Sequence, residues 1–417
     1  MSLKRVVITG MGALTPVGND VSTFWKNLVA GVSGAAPITR FDAEKFRTKF
    51  ACEVKGLDVT SYIPRQEARK MDPFTQYAVI AADEAMKDAG FDADTLDLDK
   101  AGVIWGTGIG GLKTFEEEVM NFAENGKTPR FNPFFIPKMI VDSASGVLSI
   151  RYGFRGPNFI TVSACASATN ALIDAFNYIK LGMMNVCISG GSEAAVTIAG
   201  VGGFNALKAL SERNDSPETA SRPYDKDRDG FVLGEGGAAL ILEELEHAKA
   251  RGAKIYAEMI GAGMSSDAYH ITAPHPDGLG AHIVMKNAIE NAGIKPEDVD
   301  YINTHGTSTP IGDPQEIKAI EKFFGEHAYE LNISSTKSMT GHLLGGAGAI
   351  EAAACILAIR DQVVPPTINH FTDDPEINPK LNLTFNHAQK REINIALSNT
   401  FGFGGHNASV VFKKYED

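Results

Sequence analysis

The chain has 417 residues, 44% apolar and 22% charged, the balance of an ordinary soluble globular protein with ample core. Acidic residues outnumber basic ones by 51 to 39, and a formal net charge of −12 argues against a nucleic-acid binder that works by bulk charge. No apolar stretch reaches the ~18 residues of a membrane span, and the N-terminal MSLKRVVITGMG has too short an apolar run for a signal peptide. Four cysteines make no disulfide framework, so a cytoplasmic, reduced protein is the expectation.

Along the chain, short β-branched runs end in glycine and feed helical patterns: VVITGMG (6–12), GVIWGTGIGG (102–111), VCISGGSE (186–193), YINTHGTS (301–308) and TFGFGG (400–405). These predict strand–loop–helix units and an α/β fold with buried sheets. Leu172, Ala175, Phe176 and Ile179 share one helix face after Cys165; Ile350, Ala354 and Leu357 share another after Gly348. KRVVITGMGALTPVG (4–18) is echoed by AKIYAEMIGAGMSSD (253–267): a basic residue, a strand, then G-x-G and small polar residues. The repeat suggests two similar halves, 1–250 and 251–417, with Cys165 and His342 in comparable places.

Two motifs invite a wrong reading. Gly106–Gly111 satisfies G-x-G-x-x-G after a strand, but no second strand ending in an acid follows at the spacing a dinucleotide site needs. Asp225-x-Asp227-x-Asp229-Gly230 opens like a calcium loop, yet the twelfth position is Gly236 and the acid Glu235 comes one residue early. A charge network in a turn is the better reading.

Cys165, in ITVSACASATNAL, follows a strand and stands at the start of a helix, where free amides and the helix dipole are expected to lower the thiol pKa. On its own it reads equally as a nucleophile and as a buried filler thiol. Cys187 and Cys355 look like fillers. His305, in NTHGTSTP, and His342, in STKSMTGHLLGGAGA, both occupy strand-end loops, where ligands bind in α/β folds. Lys337 lies five residues before His342. A cysteine, two histidines and a lysine on loop ends make a plausible site, although spacing does not prove that they meet.

With RPYDKDRDGFVLGEGG (222–237), NTHGTSTPIGD (303–313), SSTKSMTGHLLGGAGAIE (334–351) and SNTFGFGG (398–405), the chain resembles the condensing enzymes of fatty-acid synthesis over essentially its whole length. The resemblance implies the thiolase-like fold, two duplicated α/β halves in five layers, α-β-α-β-α. It implies Cys165 as the acyl-accepting nucleophile, His305 and His342 as partner histidines, and Lys337 as their support. Glu316 matches an acid that pairs with that lysine, and Phe403 a gating phenylalanine. Backbone N–H groups of Cys165 and Phe403 would form an oxyanion hole. The implied chemistry extends a Cys-bound acyl chain by two carbons from a malonyl thioester, without a metal or organic cofactor.

Thr307 and Thr309 match positions that bind the phosphopantetheine arm, although alone they read as turn chemistry. Ile109 matches the position where type II synthases carry Ile and type I carry Gly, lining the acyl tunnel across a homodimer interface. Arg65, Arg69, Lys70, Arg130 and Lys208 match places where relatives dock the acidic acyl carrier protein; a charge cluster is otherwise a solvated face. Asn303, Glu351, Ser398 and Asn399 match a structural monovalent-cation site. His406 departs from the family, which has Thr there. A thiolase would need a second cysteine near the C-terminus, and chain-initiating synthases place Asn at His342. A polyketide-type ketosynthase shares every catalytic residue. A non-catalytic chain-length factor lacks the nucleophile, against which Cys165 argues.

Overall fold

The computed structural model describes residues 3–91 and 96–416. Its main sheet has ten strands. Five come from the first part of the chain: β1 (Val6–Leu14), β2 (Ala101–Gly106), β3 (Asn158–Thr161), β4 (Val186–Glu193) and β5 (Gly236–Glu244). Five come from the second: β6 (Ala257–Ser266), β7 (Tyr301–Asn303), β8 (Asn332–Ser334), β9 (Ile395–Gly402) and β10 (His406–Lys413). The spatial order is β8-β7-β9-β10-β6-β1-β5-β4-β2-β3. Read outward from the β1–β6 seam, the two wings are the same: each strand of one has its counterpart five strands later. β2 pairs parallel with β3 and β4, as β7 does with β8 and β9. The seam itself is antiparallel, with Val6 opposite Met259 and Ile8 opposite Ala257.

The helices repeat too: α1 (Pro73–Ala89), α2 (Ser143–Tyr152) and α3 (Ser167–Lys180), then α4 (Leu279–Ala292), α5 (Gly312–Phe324) and α6 (Ala347–Asp361). One core joins α1 and α2 to the first wing, and another joins α4 and α5 to the second. The largest core holds α3 and α6 between strands of both wings. Five layers, α-β-α-β-α, follow from these three cores.

The echoed G-x-G has a packing cause. A Cβ on Gly10 or Gly12 would lie 2.3 or 1.9 Å from the carbonyl oxygens of Ala85 and Ala81 on α1. On Gly261 or Gly263 it would lie 2.6 or 2.3 Å from Ala288 and Val284 on α4. Each helix therefore lies directly on the backbone of its wing's seam strand. α1 begins at Pro73 behind Asp72, whose carboxylate accepts from Phe74 N, and stops at the left-handed Gly90.

Candidate active site

Cys165 sits on a sharp elbow between β3 and α3. Ala164 adopts φ +50°, an uncommon left-handed conformation for a non-glycine residue, and the Ser167 hydroxyl clamps the turn. That hydroxyl donates to Ala164 O at 2.6 Å and accepts from Ser163 N at 2.9 Å. Gly402 presses on the other side: a Cβ there would lie 2.7 Å from Ser163 O. The amides of Phe403 and of Cys165 itself both favour the thiolate.

Helix-start acidity does not win here. Burial pushes the Cys165 thiol up to about 12, against the opposing pull of the Lys337 ammonium and the Phe403 amide. The expected lowering is therefore corrected. Desolvation of Cys165, itself only 9% exposed, outweighs the short-range dipole of α3. His342 Nε2 lies 3.0 Å from Sγ, and in the tautomer that carries its proton on Nε2 it donates to the sulfur.

His342 is held by strand-like bonds to the 222–237 motif: it donates to Val232 O at 2.8 Å, and Gly234 N donates to its carbonyl at 2.9 Å. Phe231 stands edge-on to its ring at 5.3 Å. His305 stands nearly perpendicular to His342 at 5.2 Å, with Phe401 on its other side at 5.6 Å. One ligating atom from each of Cys165, His305 and His342 falls within 4.8 Å of the others. Burial, and then the Lys337 charge, hold both imidazoles well below the usual histidine range, so both are neutral near pH 7.

Lys337 is 1% exposed and pairs with Glu351, one helix away on α6. This corrects the partner expected for it. Glu316 instead accepts from the backbone of the histidine loop, His305 N at 2.9 Å and Gly306 N at 2.8 Å, and burial pushes it up to about 7. It shapes the loop that carries His305, while Glu351 neutralises the lysine.

These groups open on a cavity of about 620 Å³ whose walls include Ile109, Thr307, Thr309, Phe401, Phe403 and Lys208. The Thr307 and Thr309 hydroxyls are 3.2 Å apart. Arg65, Arg69, Lys70 and Arg130 are exposed outside it, with Lys70 over the Phe134 ring at 5.4 Å. His406 is exposed, and a Cβ on Gly404 would lie 2.9 Å from its ring Nε2.

Around the lysine pair, Asn303 Oδ1, Glu351 Oε2, Ser398 Oγ and Asn399 Nδ2 are buried without a hydrogen-bond partner among the described residues, and Ser398 faces Asn303 in register. The three oxygens suit a hard cation. Asn399 differs from them, since its unpartnered atom is the Nδ2 donor while its oxygen accepts from Ser409 at 2.6 Å.

Glu193, at the end of β4, has no signal in the sequence beyond its place in VCISGGSE. Its carboxylate accepts from Gly108, Ile109 and Gly110 N, filling the nest that a G-x-G-x-x-G loop offers to phosphate. The Asp225 carboxylate likewise serves the protein itself, accepting from Asp227, Phe371 and Thr372 N.

The profile described as Beta-ketoacyl synthase, N-terminal domain matches residues 3–248, and its C-terminal counterpart matches 256–371. The chain is 52% identical over 415 residues to a 3-oxoacyl-[acyl-carrier-protein] synthase 2 of Synechocystis sp., covering 99% of both. It is 52% identical over 413 residues to the enzyme of that name from Staphylococcus aureus, again covering 99% of both. Among solved structures it resembles a beta-ketoacyl synthase from Burkholderia phymatum (TM-score 0.91, 35% identity, 99% and 100% of the chains). It also resembles a type II polyketide ketosynthase solved with its acyl-carrier protein (TM-score 0.91, 34% identity, 100% of both chains). With family profiles matching both halves around the elbow cysteine and the paired histidines, the chain belongs to the beta-ketoacyl synthase family.

Proposed function

We propose that the protein elongates fatty acyl chains by decarboxylative Claisen condensation with malonyl carrier protein. The observation that carries this is the convergence of Cys165 with two neutral imidazoles on one cavity wall. In the first half-reaction Sγ attacks the acyl thioester carbonyl, and the oxyanion lies between the amides of Cys165 and Phe403. The bond to the carrier sulfur breaks, and the proton from Cys165 ends on the departing thiol. In the second, the bond to the malonyl carboxylate breaks and CO2 leaves. Its electron pair forms an enolate whose oxygen is held by His305 and His342, each with its proton on Nε2. The enolate carbon attacks the acyl-Cys165 carbonyl, the C–S bond breaks with its electron pair on Sγ, which takes a proton from water to restore the thiol, and the released chain is a 3-oxoacyl thioester two carbons longer. No base has to remove a C–H proton.

Lys337 keeps both imidazoles neutral, and Glu316 fixes the His305 loop. Thr307 and Thr309 bind the pantetheine arm, Phe403 gates the cavity and Ile109 lines the acyl tunnel. Lys208 at the cavity wall, with Arg65, Arg69, Lys70 and Arg130, docks the acidic carrier; a local patch is required because the chain itself is at −12. A monovalent cation held by Asn303, Glu351 and Ser398 would supply charge compensation only. The halves divide near residue 250. Homodimerisation is supported by the sheet edge at β3 and by exposed apolar side chains nearby in sequence, including Phe115, Phe131, Phe134, Ile136 and Ile150.

The test is intact-protein mass spectrometry. Mixing with a long-chain acyl carrier protein should give an acyl adduct on the Cys165 peptide. Malonyl carrier protein should then discharge it with a product two carbons longer. An adduct formed only with acetyl coenzyme A would point instead to a thiolase or an initiating enzyme.

A further inference from the structure

Glu193 is a buried charged group that the reaction above leaves without a part. It is 0% exposed, and its two oxygens serve five donors from two loops. Oε1 accepts from Thr107 Oγ1 at 3.0 Å and from Ile109 N and Gly110 N at 3.1 Å; Oε2 accepts from Gly108 N at 2.7 Å and Gly345 N at 3.0 Å. The first loop carries Ile109, and the second follows His342. They touch: a Cβ on Gly345 would lie 2.1 Å from Gly108 N, and one on Gly108 would lie 3.3 Å from the carbonyl of Ala164 at the nucleophile elbow. Ile109 from one loop and Leu344 from the other line the same cavity.

We propose that Glu193 is a positioning residue that sets acyl-chain selectivity, by fixing Ile109 at the cavity wall and tying it to the loop that carries His342. The inference rests on the condensing-enzyme reading, with Ile109 on the acyl path. Burial pushes the Glu193 carboxyl up, while the amides of Gly108, Gly110 and Ile109 and the Thr107 hydroxyl pull it down; in its ionised form it is an acceptor only, and the five donors share its two oxygens. An amide has one accepting oxygen and turns its NH2 towards the remaining N–H groups, so Glu193→Gln leaves part of the nest without an acceptor. Ile109 then loses its fixed position. A long acyl chain, which must pass Ile109, senses that change; a chain that ends before it does not.

The experiment measures kcat/KM for acylation of Cys165 by hexanoyl- and palmitoyl-carrier protein in wild type, E193Q, I109A and the double variant. E193Q should change the palmitoyl-to-hexanoyl ratio by about fivefold or more in the wild-type background, and by less than about twofold in I109A, because it acts through that side chain. Thr107→Val removes one donor and keeps the carboxylate. It should move the ratio the same way by a smaller factor, and it carries the test if E193Q does not fold. An unchanged ratio in a folded variant, or an equal shift in the I109A background, overturns the proposal and leaves Glu193 with a purely structural part. Absence of any adduct on wild-type Cys165 would instead overturn the condensing-enzyme reading beneath it.

Discussion

Replacing Lys337 with Met tests the reassigned ion pair and the electrostatics of the site together. Lys337 is 1% exposed and Glu351 is 0% exposed, and Glu351 Oε2 has no hydrogen-bond partner among the described residues. Removing the ammonium strands a buried carboxylate, which costs about 3–5 kcal/mol. At roughly 2 °C per kcal/mol for a large domain, the melting temperature should fall by about 6–10 °C. Burial already raises Glu351 against the pull of Lys337, so without the lysine it takes up a proton. Neutralising the stranded partner should therefore restore most of the loss: Lys337→Met/Glu351→Gln should melt well above Lys337→Met, whereas Lys337→Met/Glu316→Gln should not. The lysine charge also depresses both histidines, so its removal raises their pKa values. Neutral imidazoles are the active form, so activity should be lost at a higher pH on acidification, and the acid limb of malonyl decarboxylation moves up. Calorimetry and a pH–rate profile read the two effects. A Lys337→Met protein within about 1 kcal/mol of wild type, or rescue by Glu316→Gln rather than Glu351→Gln, would refute the pairing. An unmoved acid limb would refute the electrostatic account.

Three further predictions use other parts of the site and fold. Cys165→Ala should form no acyl adduct by mass spectrometry, and Cys165→Gln should lose condensation while retaining malonyl decarboxylation; an Ala variant that still elongates would place the nucleophile elsewhere. His342→Asn should slow CO2 release from malonyl carrier protein by about 10²–10³-fold, as for loss of one oxyanion donor, and an unchanged rate would remove it from the enolate site. Gly12→Ala should destabilise by about 3 kcal/mol, since its Cβ would lie 1.9 Å from Ala81 O, whereas Gly146→Ala, on α2 with open space around it, should gain up to about 1 kcal/mol by chemical denaturation.

The sequence carries the features whose causes are local. Glycines mark the strand ends, and the echoed G-x-G announces two helices lying on two seam strands, because only glycine tolerates that approach. Cys165, His305, His342 and Lys337 stand out by residue type and loop position. What sequence reasoning misjudges depends on burial and long-range partners. The acidity expected of Cys165 from its helix is reversed by desolvation. Lys337 finds its counter-ion 14 residues on, across a loop and into α6, rather than at Glu316. Glu193 and Phe401 go unnoticed because an acid ending a strand has no periodic signature, and Phe401, between Thr400 and Gly402, has nothing in its own residue type to mark it as the neighbour of His305. The Val232–Gly234 segment that holds His342 is legible only as part of a family motif, since its partner lies more than a hundred residues away.

The seam between β1 and β6 also bears on how the molecule is made. During synthesis the first wing is complete when β5 emerges, but β1 then stands at an open sheet edge, because β6 is still inside the ribosome. Val6, Val7 and Ile8, the β1 residues that pair with β6, are apolar and buried in the finished protein, so this edge is apolar as well as unpaired. The half-made chain thus presents a sticky margin until β6 appears, an interval in which chaperone contact or misassociation between nascent chains is favoured. Slower translation just after β5 should lengthen that exposure and lower the yield of soluble protein.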